Sequence, residues 1–183
     1  MQPVGGTYRI GSDTGHLRIK TSRTGLGRKA GHDLTIEVTR WTGDVEVDAA
    51  DLARSSVTVT AETGSLNVLE GVGGLKPLTD SDRADIKQTI AAKILRPAEH
   101  PAITFTSTGV AGSPESFTVT GDLTIMGATR PVTLEGRLDG DGHVRGSATV
   151  VQSTWGIKPY SAFAGALRLA DEVVIEFDLT GLA

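Results

Sequence analysis

The stretch from Gly121 to Leu134 narrows the fold more than any other part of the chain. Leu123 and Ile125 alternate with Thr124 and Met126, Gly127 to Arg130 reads as a turn, and Pro131 opens a second run in which Val132 and Leu134 alternate with Thr133. Period-two patterning on both sides of a glycine turn predicts a hairpin with two distinct faces. Alternation on one face belongs to antiparallel sheet, because buried parallel strands read as continuous apolar runs.

The same rhythm recurs along the chain. Tyr8 and Ile10, Leu17 and Ile19, Leu34 with Ile36 and Val38, Val45 and Val47, and Val57 and Val59 each share one parity of their run. It resumes at Ile103–Phe105, Phe117–Val119, Val144, Ala148–Val150 and Val173–Leu179. Between these runs lie Asp13-Thr14-Gly15, Thr42-Gly43-Asp44, Gly112-Ser113-Pro114 and Gly140-Asp141-Gly142, all with turn chemistry. One stretch alone reads as helix. From Asp80 or Ser81, either of which would cap it, to Leu95, the residues Ile86, Ile90 and Ile94 repeat every four and Pro97 lies just beyond. This isoleucine stripe is expected to pack over a mouth or edge of the sheet. Gly71 to Pro77, ahead of it, is too rich in glycine to order itself and reads as a mobile loop and lid candidate.

Composition excludes several classes. A net charge of -4 argues against general nucleic-acid binding, which needs a basic footprint. No apolar run reaches the roughly 18–20 residues that cross a bilayer as a helix. With Cys 0 there is no disulfide framework or thiolate chemistry. Met1 to Gly6 has neither the cationic stretch nor the apolar core of a secretory leader, so the expected compartment is the cytoplasm, or the periplasm or exterior if a leader has been removed. The 183 residues fit one domain, 1–183.

Many antiparallel strands and one helix favour closure into a barrel, which removes exposed edges. A β-sandwich could be built from the same residues. The choice comes from resemblance. Gly121 to Leu134, His100 to Thr108, Ser153 to Ile157, Asp171 to Ile175 and Gly6 to Ile10 together resemble the YceI-like family. The chain departs from that pattern in Ser81–Leu95 and Leu17–Leu34. The resemblance implies an all-β fold, an antiparallel eight-stranded lipocalin-like β-barrel with one α-helix inserted at about residues 80–95. It further implies non-catalytic binding, storage or transport of a polyisoprenoid or related amphiphilic lipid, no cofactor other than such a bound lipid, and a homodimer. The rival reading is a barrel with a filled interior that serves a structural or partner-binding role.

Candidate residues follow from placement. Phe105, Phe117, Ile125, Leu17 and Ile36 fall on inward strand positions and would line the barrel. Trp155, Tyr160 and Phe163, three of the eight aromatics, sit on a bent segment with Gly156, Pro159 and Gly165, and either plug the barrel end or grip a lipid tail near its opening. Trp41 reads as a surface or edge residue. Arg18, Lys20, Arg23, Arg28 and Lys29 form a run without acids, read first as a solvated face. Arg28 or Lys29 is the candidate for a polar head group. His32, between Gly31 and Asp33, could reach a cavity mouth, while His16 and His143 adjoin turns and read as solvated. No histidine has a metal-site spacing, and no nucleophile elbow, phosphate loop or carboxylate pair appears, so neither a metal nor an enzymatic activity is expected.

Overall fold

The computed structural model describes residues 4–182, apart from the side chain of Phe163. In chain order the strands are β1 (Gly6–Gly11), β2 (Gly15–Lys20), β3 (Arg23–Thr24), β4 (Asp33–Val38), β5 (Trp41–Val47), β6 (Ser56–Glu62) and β7 (Leu66–Val72). Helix α1 (Asp80–Thr89) follows, then β8 (Ala102–Ser113), β9 (Ser116–Ile125), β10 (Ala128–Leu138), β11 (Val144–Val151), β12 (Ser161–Ala162), β13 (Leu167–Leu169) and β14 (Glu172–Leu179). Eleven strands form one curled antiparallel sheet in the order β1-β5-β6-β8-β9-β10-β11-β14-β2-β4-β7, and β12-β13-β3 make a small second sheet.

The hairpin of Gly121 to Leu134 forms β9 and β10, with a tighter turn than the sequence suggested. Met126 and Gly127 alone make it, both at positive φ (50° and 77°), as a two-residue hairpin requires. Ala128 to Pro131, read as turn and strand start, already pair with β9. The ladder from β10 to β11 spans only Leu134–Leu138, so Pro131 lies where β10 has a partner on one side.

Three pairs of strands are continuous through sharp bends: β1 into β2, β4 into β5, and β6 into β7. The bends stack, because Thr39 N donates to Ser65 O (3.0 Å), Glu62 N donates to Arg40 O (3.0 Å), and Gly11 lies against the Trp41 carbonyl. Each bend shifts the inward parity by one. Ile10 gives way to Leu17 and Ile19; Ile36 and Val38 to Trp41 and Val45; Val59 and Ala61 to Leu66 and Val68. Trp41 is therefore a core residue, 4% exposed, and the expectation of a surface position is corrected. Its indole N–H has no hydrogen-bond partner among the described residues.

Register places the long connections at one end of the sheet. Lys20 pairs Thr35 and Val174, Asp33 pairs Val72, and Val151 pairs Glu172, so segments 21–32, 73–101 and 152–171 all leave from the same rim. The short connections 48–55, 114–115 and 139–143 lie at the opposite rim. Helix α1 is capped by Thr79 rather than by Asp80 or Ser81. The Thr79 hydroxyl accepts from Asp82 N (3.1 Å) and the Asp82 carboxylate accepts from Thr79 N (2.8 Å), a reciprocal box that satisfies two amides. After Thr89 the helix widens into a π-helical turn, Ile90–Leu95, which ends at Arg96 with φ 45°. Gly71 and Val72, assigned to a mobile loop from sequence, pair with Leu34 and Asp33, because β4 supplies the ladder their own propensities lack.

Candidate ligand-binding cavity

The concave side of the sheet encloses a cavity of ≈ 990 Å³. Its wall is the inward parity of the main-sheet strands, and its size falls at the upper end of the ~300–1,000 Å³ typical of small-molecule sites. Ile86, Ile90 and Ile94 close one side, so the helical stripe faces the hollow. The hollow extends from Gly31, His32, Leu75 and Leu167 at the rim of long connections to Val47, Leu52, Val110 and Pro114 at the other.

Phenyl rings shape this wall by lying against strand glycines. A β-carbon at Gly121 would come within 2.5 Å of the Phe105 ring, and one at Gly136 within 2.6 Å of the Phe117 ring and 3.3 Å of Phe177. These glycines let the rings lie flat on neighbouring strands instead of projecting across the interior. Sequence reasoning took glycine mainly as turn punctuation and missed this function.

Phe105, Phe117, Ile125, Leu17, Ile36, Tyr160 and His32 all line the cavity. Trp155 does not: it is 6% exposed, packed in the core, and its indole N–H donates to Leu123 O (2.9 Å). Arg28 is outside the wall, in a short 3-10 turn (Arg28–Ala30) on the rim. Phe163's side chain lies outside the described residues. Trp41 and the isoleucines of the helical segment were absent from the sequence-derived set, although the four-residue isoleucine spacing was the signal for the latter. His32 Nε2 lies 2.7 Å from Lys76 O and must donate to it, since a carbonyl can only accept. That bond ties the glycine-rich connection to the start of β4.

Polar groups reach the hollow mainly at the rim of long connections, where Lys76, Asp82 and Asp85 contribute. Asp82 is committed to the helix cap: hydrogen bonds from the Thr79 amide and hydroxyl hold its carboxyl below the ordinary value, against the effect of burial. On the outer face, Glu37 accepts from Arg18 Nε (2.7 Å) and pairs with His16 Nδ1 (2.8 Å). Burial pushes Glu37 up, and these two bonds outweigh it to lower its pKa. His143 Nδ1 meets Asp178 at 2.7 Å. His16 and His143 are thus each hydrogen-bonded to a carboxylate rather than merely solvated.

Such a sheet, curled about an apolar hollow, defines a cavity-bearing antiparallel β architecture. The YceI-like domain matches residues 9–181, and the chain belongs to that family. Protein YceI of Escherichia coli O6:H1 (strain CFT073) is 36% identical over 100 residues, which are 55% of this chain and 46% of that one. The chain thus matches about half the length of that relative. In fold it is similar to Burkholderia cenocepacia BcnA (TM-score 0.65, 20% identity, covering 89% of this chain and 94% of the other). A second similar structure is a polyisoprenoid binding domain from Saccharophagus degradans implicated in plant cell wall breakdown (TM-score 0.56, 10% identity, covering 96% and 97%).

Proposed function

We propose that this protein binds, stores or carries a long-chain amphiphilic lipid, a polyisoprenoid or related isoprenoid or fatty compound, within its cavity and without catalysing a reaction. The observation that carries the reading is the ≈ 990 Å³ hollow, walled by aliphatic and phenyl side chains and polar mainly at one rim. It also weighs against the filled-interior alternative. Each methylene that leaves water for this wall contributes about 0.8 kcal/mol, so a few isoprene units outweigh much of the cost of ordering a flexible tail. The similarity to a polyisoprenoid binding domain points to the same ligand class. We further read the sheet as a lipocalin-like barrel of eight long strands. Taking β1–β2, β4–β5 and β6–β7 as single bent strands turns the eleven into eight, and the β14–β2 pairing joins the last to the first.

Lipid extraction and mass spectrometry of protein purified without detergent test the assignment. A stoichiometric apolar lipid, or uptake of a fluorescent isoprenoid probe displaced by a long prenyl alcohol, is expected. Protein that is lipid-free and indifferent to such probes would remove the carrier function.

A further inference from the structure

The two rims of the sheet carry opposite charge. Connections 21–32, 73–101 and 152–171 hold ten Lys and Arg against five Asp and Glu, in a chain whose net charge is -4. Connections 48–55, 114–115 and 139–143 at the far rim hold five Asp and Glu against Arg54 alone. Within the cationic rim, Asp80 is paired with Arg83 and Asp82 is used by the helix cap. Arg28, Lys29, Lys76, Lys158 and Arg168 are exposed and make no ion pair among the described residues.

The same rim presents apolar tips. Leu26 is 101% exposed, Leu75 81%, Val72 62% and Tyr160 40%, four of the six large apolar residues that face solvent among the described residues. They stand on one assembled surface. Arg23 donates to Arg28 O (3.2 Å) and Gly31 O (2.5 Å) and lies against Gly73, while Gly27 N donates to Ala166 O (2.9 Å) and Leu169 N to Tyr160 O (2.9 Å). Leu75, Lys76 and Tyr160 belong at once to this surface and to the cavity wall. Apolar tips within a ring of free cations match a bilayer with anionic head groups: the tips enter the acyl boundary and the cations meet phosphates.

We propose that this rim docks on the surface of an anionic lipid bilayer, so that the cavity opens toward the membrane and lipid passes between the two without crossing water. The inference rests on the lipid-carrier reading and adds the surface through which loading occurs. Leu26 and Arg168 lie outside the cavity wall, which makes them suitable probes.

The test is co-sedimentation with phosphatidylglycerol vesicles and with phosphatidylcholine vesicles, alongside uptake of a fluorescent isoprenoid probe in solution. The wild-type chain is expected to partition at least about tenfold more strongly onto the anionic vesicles and to lose that preference at high salt. The double substitution Leu26→Asp with Arg168→Glu should cut partitioning about tenfold or more and leave probe uptake unchanged; its circular dichroism spectrum confirms folding. Lys158→Glu, elsewhere on the rim, should weaken partitioning in the same direction. Probe uptake without vesicle binding would overturn the docking surface and leave the carrier reading intact. Vesicle binding without probe uptake would support the docking surface and remove the carrier reading. A wild-type dimer that ignores vesicles and becomes monomeric on the Leu26 and Arg168 substitutions would assign the face to a second copy of the chain and overturn the proposal.

Discussion

At the scale of single residues, the volume of the hollow is set by where rings lie. The three atoms nearest a methyl group at Gly136 all belong to the rings of Phe117 and Phe177, so Gly136→Ala is accommodated by pushing a ring inward. We expect it to cost about 1–3 kcal/mol, as over-packing does, and to reduce uptake of the longest isoprenoid probes more than of short ones. Urea unfolding and a chain-length series of prenyl alcohols measure the two effects; equal loss across all lengths would show that the rings do not bound the cavity. The two tryptophans make a related contrast. Trp155 bonds Leu123 O, while Trp41 keeps an unsatisfied donor in the core. Strand parity alone placed neither, because both stand just beyond a break in the alternation.

At the scale of elements, the helical segment is the largest piece of the cavity wall that is not sheet. Its isoleucines were legible at four-residue spacing, yet its cap was misread by one or two residues because Thr79, Asp80 and Ser81 are all capping types. The carboxylate three positions after Thr79 resolves the choice: Asp82 returns the bond that Thr79 makes. Thr79→Ala should therefore destabilise α1 by about 1 kcal/mol. Amide exchange should accelerate in 80–89 while the core of β8, β9 and β10 keeps its protection. Uniform acceleration across the protein would show instead that the cap stabilises the whole fold rather than the helix alone.

At the scale of the molecule, a carboxylate-rich cluster fastens three strands at the far rim. Arg145 on β11 donates from Nε to Asp178 on β14 (2.9 Å) and bonds Asp139 and Asp141 beyond β10, while His143 joins Asp178. Burial raises the Asp178 pKa, but the His143 and Arg145 bonds outweigh it and hold the carboxyl below its ordinary value. Asp139 is lowered too, chiefly by the Arg137 hydrogen bond, and Arg145 is raised by its bond to Asp178. A carboxylate whose folded pKa is depressed contributes its stabilisation in full above the unfolded value, ~3.9, and loses it as pH falls through the folded one. Asp178→Asn should thus unfold at lower urea than wild type at neutral pH, with the gap closing as pH falls below the ordinary carboxylate range. The side chains are partly exposed, so high salt should shrink the gap. A gap independent of pH would show that the charge of Asp178 is not what stabilises.

Much of this protein was legible in its residues. Period-two runs gave the antiparallel sheet, the isoleucine spacing gave the helix, and Phe105, Phe117, Ile125, Leu17 and Ile36 were chosen correctly as inward-facing because alternation is a local property of extended backbone. What alternation cannot carry is phase across a bend. The three stacked bends reset it by one residue each, and they are held by hydrogen bonds between segments far apart in sequence, such as Thr39 with Ser65. The tertiary structure alone therefore decided that Trp41 is inside, that strand glycines make room for rings, and that loops from three regions of the chain form one cationic, apolar-tipped rim.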